Sequence, residues 1–179
     1  MSLPRQPQPA KLIISALMRR KDLLEEVAEM MSAELGPIDM VSSWLPFDKT
    51  DYYRSEMGGP LFRRLVGFRE LINQERLVSI KHFTNQVETH HSEEGRRTVN
   101  LDPGYLLAER FVLATGKNYT HRILLGEGIY ADLTLVYQDG AYRPLDWTYP
   151  DYAGEDIRAF LDSARTRYLF QVRKGREGE

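Results

Sequence analysis

Ten charged and polar side chains lie inside or beside apolar segments of this sequence, where they could build a binding site. They comprise four cations, three carboxylates, one amide, one hydroxyl and one histidine: Lys81, Glu88, Arg97, Asn100, Asp102, Lys117, His121, Arg122, Asp132 and Thr134. A buried charge is costly unless it is paired or holds a ligand. The pattern therefore supports two interpretations, a ligand site or an ion network that satisfies itself.

In the first interpretation, these residues form a site for a small anionic molecule, such as a phosphate ester or a nucleotide-like compound. Arg97 and Arg122 would grip its oxygens bidentately, and Lys117 would add a point charge. Asp102 and Asp132 could hold a divalent cation beside it. This interpretation predicts that the tips of Arg97, Lys117, Arg122 and Asp102 meet in one cavity. It specifies no reaction and no catalytic residue.

A second class of function is a non-catalytic interaction module. The aromatic side chains of residues 52–53 and of the connector 147–152 would then form an exposed contact patch. In the alternative interpretation, the connector rings close over the core. Hydrolysis at a histidine-bound metal is not supported, because His90 and His91 are adjacent and their rings diverge on a helix. No G-x-S-x-G elbow is present either.

Length and composition restrict the class of protein. The chain has 179 residues, a net charge of −2 and no cysteine. This length favours one domain, and the balanced charge creates no field that would recruit nucleic acid or an anionic membrane. The absence of cysteine excludes disulfides and thiolate metal sites and fits a reducing cytoplasm. We therefore expect a cytoplasmic protein with no nucleic-acid or membrane partner and an unspecified oligomeric state.

The domain organisation follows from where proline, charge and apolar residues concentrate. Residues 1–10 are proline-rich and polar, so we expect a disordered lead and not a signal peptide. Residues 11–172 form one predicted α+β domain. Residues 173–179 are charged and are expected to fray. No apolar run approaches the roughly 20 residues that span a bilayer.

The start of the domain predicts a strand, a helix and a second strand. Residues 11–18 are an apolar run typical of a buried strand. Asp22 is the predicted N-cap of the helix, Glu25 completes a capping-box pattern, and Gly36-Pro37 ends the helix. Residues 38–45 form the second predicted strand. This order favours a parallel βαβ unit with a right-handed crossover.

A loop, a third strand and a second helix come next. Residues 46–60, with Thr50 near their middle, are predicted as a loop or edge segment, and residues 61–68 as a strand. Asn73 is expected to cap a helix that ends near His90. The border of this helix carries a polar stripe: Lys81, Asn85 and Glu88. Long side chains there could reach a site while their stems stay packed, and the alternative is a solvated helix edge.

The stretch around residue 100 holds the densest mix of apolar and polar residues. Asp102-Pro103-Gly104 predicts a turn, because proline restricts φ and glycine tolerates positive φ. Three further strands are predicted, at residues 111–114, 122–125 and 129–137. In the last of them, one alternating set is apolar or aromatic and should face the core: Ile129, Ala131, Leu133, Leu135 and Tyr137. Asp132 and Thr134 then lie on the opposite face.

The end of the chain predicts a hairpin and a helix. Gln138-Asp139-Gly140 is a hairpin turn signal, and residues 141–145 are the return strand. A final helix with an apolar face begins near Glu155. The predicted fold class is α+β, a single domain with a mixed β-sheet, an opening βαβ unit, antiparallel C-terminal strands and helices packed mainly on one face.

Several segments of the chain, taken together, resemble one known family. They are SSWLPFDKTDYYRSEMGG, SIKHFTNQVE, NLDPGYL, LATGKNYTHRI, GIYADLTLVY and WTYPDY. In this order they resemble an uncharacterised bacterial "domain of unknown function" family of about this length. The resemblance covers nearly the whole chain after the proline-rich lead. It implies no activity, although members are sometimes automatically labelled GTP-binding proteins.

The residues do not support a GTP-binding or dinucleotide-binding loop. A phosphate-binding loop requires G-x-x-x-x-G-K-[ST] between a strand and a helix. Here Gly116-Lys117 is followed by Asn118 and then by a predicted strand. Residues 126–131 fit G-x-G-x-x-A but lie between two strands, where no helix N-terminus can face a pyrophosphate. An ordinary P-loop GTPase and a Rossmann enzyme are therefore not supported.

Overall fold

A large antiparallel sheet forms the centre of the fold in the computed structural model, which describes residues 3–48 and 53–177. The strands are β1 Ala10–Met18, β2 Ile38–Val41, β3 Leu45–Pro46, β4 Phe62–Ile72, β5 Ser92–Glu93, β6 Arg96–Arg97, β7 Val99–Leu106, β8 Arg110–Thr115, β9 Arg122–Gly126, β10 Ile129–Gln138 and β11 Ala141–Pro144. The helices are α1 Leu23–Leu35, α2 Arg54–Met57, α3 Leu77–His90 and α4 Glu155–Glu177. The predicted α+β class is confirmed.

The strand order places β7 and β1 near the middle of the sheet. Within the described residues, the main path is β11-β10-β8-β7-β1-β4-β2. Off this path, β3 pairs with β4 and β9 pairs with β10, while β5 and β6 form a separate ribbon. The predicted hairpin turn joins β10 to β11, and Asp139 and Gly140 both adopt positive φ there, as such a turn requires.

Helices cover both faces of this sheet. On one face, Ile14 of β1 packs with Val27 of α1 and Ile80 of α3. On the other face, Ile13 packs with Leu161 of α4. The prediction that the helices pack mainly on one face is therefore wrong. Every residue of β1 is buried, so this central strand needs a covering layer on each side.

The opening strand-helix-strand unit does not contain the predicted parallel pair. β1 and β2 each pair antiparallel with β4, which lies between them. β1 and β2 therefore run in the same direction without pairing, and the described pairings of the sheet are antiparallel where a mixed sheet was predicted. The cause is β4, whose residues 65–68 are all buried. A strand of this kind is stable between two neighbours and not at an edge.

The start and stop signals around the helices are realised in part. α1 ends at Gly36, with φ at 90°, as predicted. The side chain of Asp22 makes no capping hydrogen bond, because its carboxylate accepts from Arg20 NH2 at 2.6 Å. The predicted capping box is therefore wrong. Asn73 does cap, since its Oδ1 accepts from the Glu75 N–H at 3.0 Å in a short 3-10 turn that leads into α3.

The predicted turn at Asp102-Pro103-Gly104 is wrong, because β7 runs straight through these residues. β7 pairs with β1 along its whole length but with β8 only from Gly104 onward. Pro103 has no N–H to donate and lies where that pairing stops. A Cβ on Gly104 would lie 2.5 Å from the Val112 carbonyl oxygen, so glycine permits a close approach of two strands here. β7 and β8 then separate, which leaves residues 99–103 with an edge that no strand of the described residues covers.

The simple alternation predicted for β10 is interrupted by a bulge. Leu133 pairs with Val112 and Leu135 pairs with Phe111, so Thr134 is an extra residue in this strand. Leu135 therefore lies on the same face as Asp132, and the alternation changes phase. The prediction that Asp132 and Thr134 face away from the core is wrong, because both are buried.

Other segments differ from their predicted bounds. The predicted strand at residues 38–45 is divided into β2 and β3, and the polar segment 92–97 forms the β5–β6 ribbon. α4 continues to Glu177, past the start of the tail that was expected to fray. Thr50 and Tyr52 lie outside the described residues. In the described part of the chain, no helix has both the length and the apolar composition to cross a membrane.

Candidate functional site

A cavity opens where β7 and β8 separate, on the sheet face that α4 also covers. It encloses about 610 Å³, including its open mouth. Its apolar and aromatic lining residues are Phe47, Tyr53, Leu113, Ala114, Tyr149 and Tyr152. Its charged lining residues are Arg63, Asp102, Lys117, Arg122, Asp132 and Asp151. Beneath it runs β1, where Ser15 pairs with Leu65 on one side and with Asp102 on the other.

Four of the ten residues predicted from sequence line this cavity, namely Asp102, Lys117, Arg122 and Asp132. The other six lie outside its lining: Lys81, Glu88, Arg97, Asn100, His121 and Thr134. Of the four side chains expected to meet, three therefore share one cavity, and Arg97 is not among them. The contacts of each side chain explain why four of these residues line the cavity and six do not.

Two side chains of α3 fill the uncovered edge of β7. Lys81 Nζ donates to the Leu101 carbonyl at 2.8 Å, and the Leu101 N–H donates to Glu88 Oε1 at 2.7 Å. These bonds take the place of the ladder that β8 makes farther along the strand. Lys81 and Glu88 are buried 3.7 Å from each other, whereas Asn85 of the same predicted stripe is exposed. Lys81 and Glu88 thus support the sheet.

Arg97 is fully engaged beside this edge. Its Nε and NH2 donate to the two carboxylate oxygens of Glu56 on α2, at 2.6 and 2.8 Å. Its NH1 donates to Glu88 Oε2 at 2.9 Å and to Asn100 Oδ1 at 2.8 Å. The hydrogen bond from Arg97 holds the pKa of the Glu56 carboxyl below its usual range. The expected grip of Arg97 on a ligand is therefore replaced by a bond that docks α2.

A second ion network forms the wall of the cavity around Asp132. Asp132 Oδ2 accepts from Arg122 Nε at 2.9 Å and lies 3.2 Å from His121 Nε2. Thr134 Oγ1 lies within hydrogen-bonding distance of Asp132 Oδ1, at 3.2 Å. Arg122 NH1 also donates to the Lys117 carbonyl, at 3.0 Å, which fixes the loop between β8 and β9. This part of the predicted set is largely satisfied by its own members.

The divalent cation expected between Asp102 and Asp132 is not supported by the donor set. Both oxygens of Asp132 already have partners, and Asp102 Oδ2 accepts from Asn100 Nδ2 at 2.8 Å. Within residues 3–48 and 53–177, no group of three or more His, Asp or Glu side chains is arranged to hold a metal ion. A cation at this place would compete with the hydrogen bonds from Asn100 and Arg122 for the carboxylate oxygens.

Arg63, a deeply buried cation of the cavity wall, is not among the residues predicted from sequence. Its guanidinium lies between the rings of Phe47 and Tyr152, with centroid distances of 5.0 and 4.7 Å. Its NH2 contacts Asp151 Oδ2 at 2.5 Å. Arg63 Nε and NH1 and Asp151 Oδ1 are buried without a hydrogen-bond partner. Burial also raises the pKa of the Tyr152 hydroxyl beside them, so this ring stays neutral.

A signal in the sequence indicates a buried arginine in β4 without deciding which one. Period-2 alternation puts Arg63 on the face of Leu65 and Arg64 on the face of Val66, and both of these apolar residues are buried. Asp151 carries no comparable signal, because it lies in the irregular connector between β11 and α4.

β9 exposes three apolar side chains directly after Arg122, which lines the cavity. Ile123, Leu124 and Leu125 of β9 are consecutive and are 69%, 58% and 43% exposed. In the predicted aromatic connector, Trp147 is exposed and stacks on His121 at 5.3 Å, whereas Tyr152 is in the core. The aromatic connector therefore has one ring that packs in the core, Tyr152, and two that face solvent, Trp147 and Tyr149.

Comparisons with known proteins identify a family but no activity. A family model described as "Domain of unknown function (DUF4416)" matches residues 8–168 of the chain. No curated protein matches the chain, and no solved structure matches it.

Proposed function

We propose that this chain, which belongs to the DUF4416 family of unknown function, binds a small ligand in the cavity between β7 and β8. The proposed ligand is anionic, phosphorylated or nucleotide-like, with a group that accepts hydrogen bonds from the cavity wall. The observation that carries the proposal is Arg63, which is 3% exposed and has two N–H-bearing nitrogens without partners. A cytoplasmic location, expected from the cysteine-free sequence, belongs to the same proposal.

The unpaired donors of Arg63 destabilise the protein as long as no ligand accepts from them. A buried polar group without a hydrogen bond costs about 1–3 kcal/mol, and more when it is charged. Most buried polar groups in proteins are satisfied, so an exception in a cavity wall favours a ligand as the missing partner. Arg122 contrasts with Arg63, because Asp132 and the Lys117 carbonyl already accept from it.

The shape of the cavity supports the same proposal. Binding sites for small molecules are concave, mostly apolar and equipped with a few fixed polar groups. Phe47 and Tyr152 hold the guanidinium of Arg63 between their rings, so its donors are oriented before a ligand arrives. Such preorganisation lowers the entropy cost of binding.

A thermal-shift screen of phosphate esters, nucleotides and carboxylates, with and without magnesium, tests the proposal. A ligand at 100 times its Kd adds about 2.7 kcal/mol of stability, which for a chain of this size raises Tm by about 5–10 °C. We expect Arg63→Gln to remove this shift. Arg64→Gln is the matched control, because the neighbouring Arg64 contacts Trp44 on the other face and does not line the cavity.

A second variant keeps the test valid if Arg63→Gln does not fold. Tyr149 lines the mouth of the cavity and is 43% exposed, so Tyr149→Ala should fold and weaken binding. The proposal fails if no compound of the panel raises the Tm of the wild-type protein. It also fails if a bound compound is retained equally by the Arg63 and Arg64 variants.

A second candidate function, a protein-interaction module, is favoured by the apolar surface of β9. Three consecutive exposed apolar side chains are unusual for a strand that stays in water, and among the described strands β9 pairs with β10 alone. Light scattering over a range of concentrations, with a pull-down, tests this candidate. We expect Leu124→Lys to abolish association and Phe170→Lys, at an exposed position on α4, to leave it unchanged. A strict monomer without partners would contradict this candidate.

A further inference from the structure

Arg63 and Asp151, which both line the cavity, offer an unpaired acceptor as well as unpaired donors. Arg63 NH2 and Asp151 Oδ2 are 2.5 Å apart, which holds the guanidinium and the carboxylate side by side. The remaining oxygen of that carboxylate, Asp151 Oδ1, is buried without a donor, and Arg63 Nε and NH1 are buried without an acceptor. A ligand that satisfies both groups must accept and donate at neighbouring positions.

A phosphate or carboxylate group matches only one of these two side chains. At neutral pH these groups are essentially acceptors, with no donor to offer Asp151. The charged side chains of the wall are three cations and three carboxylates, so the wall has no net charge that would draw an anionic group to Asp151. An anionic group of the ligand, where it has one, therefore lies away from Arg63 and Asp151.

We infer that the ligand presents a ring amide to Arg63 and Asp151: a ring carbonyl that accepts from the guanidinium, next to a ring N–H that donates to the carboxylate. This inference rests on the proposed function and narrows it to heterocycles with that edge. The surrounding wall fits a flat ring, because Phe47, Tyr53 and Tyr149 line the same cavity. Aromatic side chains hold planar rings by offset stacking or edge contacts. Proteins also recognise nucleobases by hydrogen bonds from arginine to a base acceptor and from a base N–H to a carboxylate.

Matched pairs of nucleosides test the inference by isothermal titration calorimetry on the full chain. Uridine and inosine each carry one ring amide with a free N–H, and in 3-methyluridine and 1-methylinosine a methyl group replaces that hydrogen. We expect each parent compound to bind about tenfold or more tightly than its methylated form, because methylation leaves Asp151 unpaired. Equal binding of parent and methylated compounds would overturn the inference.

Inorganic phosphate and phenyl phosphate, titrated in parallel, separate this inference from the proposed function. Binding of phosphate compounds that needs Arg63, with no binding of uridine or inosine, would overturn the ring-amide assignment and leave the proposed function standing. No binding by any of these probes would overturn both.

Variants of two wall carboxylates give a second, independent readout. Asp151→Asn should weaken uridine or inosine binding about tenfold, because the amide no longer offers the charged acceptor. Asp102→Asn should change it less than about twofold, since one Asp102 oxygen is already held by Asn100. Equal losses in the two variants would contradict a direct bond from the ligand to Asp151. Thermal unfolding of each variant checks that its fold is retained.

Discussion

Replacing Gly104 with alanine is expected to lower the free energy of unfolding by about 3 kcal/mol. The new Cβ would lie 2.5 Å from the Val112 carbonyl oxygen and 2.9 Å from Leu113 Cδ2. The carbonyl belongs to the backbone of a paired strand, so it cannot move aside as a flexible side chain can. β7 and β8 would have to part at their last paired position, Gly104 with Leu113. Urea unfolding followed by circular dichroism measures the loss.

Gly116→Ala is the matched control for this substitution. No atom lies within 4 Å of a Cβ built on Gly116, so we expect a change within about 0.5 kcal/mol. If the two variants were equally stable, the close approach of β7 and β8 would be contradicted. The prediction also bears on the cavity, because Gly104 marks the point at which the two strands separate.

Glu88→Ala is expected to cost about 3–5 kcal/mol, the range found when one partner of a buried ion pair is removed. The variant leaves the Leu101 N–H without its acceptor and removes a carboxylate from both Lys81 and Arg97. Glu88 is 4% exposed, so water does not replace the lost oxygens. The loss would be measured as the difference in the free energy of unfolding from wild type.

Asn85 offers a control on the same helix, one turn before Glu88. Its side chain is exposed, so Asn85→Ala should stay within about 0.5 kcal/mol of wild type. A small effect of Glu88→Ala would contradict the support of the β7 edge by α3. Glu88→Gln refines the result, because it keeps an oxygen for the Leu101 N–H but removes the charge and the oxygen that accepts from Arg97.

The two interpretations made from the polar residues apply to different groups of side chains. Lys81, Glu88, Arg97 and Asn100 satisfy one another and the backbone of β7, as expected of an ion network. The ligand proposal now depends on Arg63 and Asp151, which the sequence analysis did not select. Both groups arise from one event in the fold, the separation of β8 from β7, which leaves an edge on one side and a cavity on the other.

Several features that depend on near neighbours in the chain were correctly predicted, although the capping box at Asp22 and the turn at Asp102-Pro103-Gly104 were not. The buried strand at the start, the stop of α1 at Gly36, the cap at Asn73 and the hairpin turn at residues 138–140 are all present. Side-chain periodicity and turn chemistry act over a few residues, so the sequence carries these signals directly. The α+β class follows from adding them together.

Features that depend on strand order and strand pairing could not be predicted from the sequence. Pro103 and Gly104 predict a turn on local grounds, yet they mark the end of the pairing with β8 within a continuous strand. The alternation of β4 puts one arginine on each face, and only the contact of Arg63 with Asp151, far away in sequence, leaves its other donors unpaired. Pairing, bulges and unmet hydrogen bonds are set by contacts between distant segments, and those contacts exist only once the sheet has assembled.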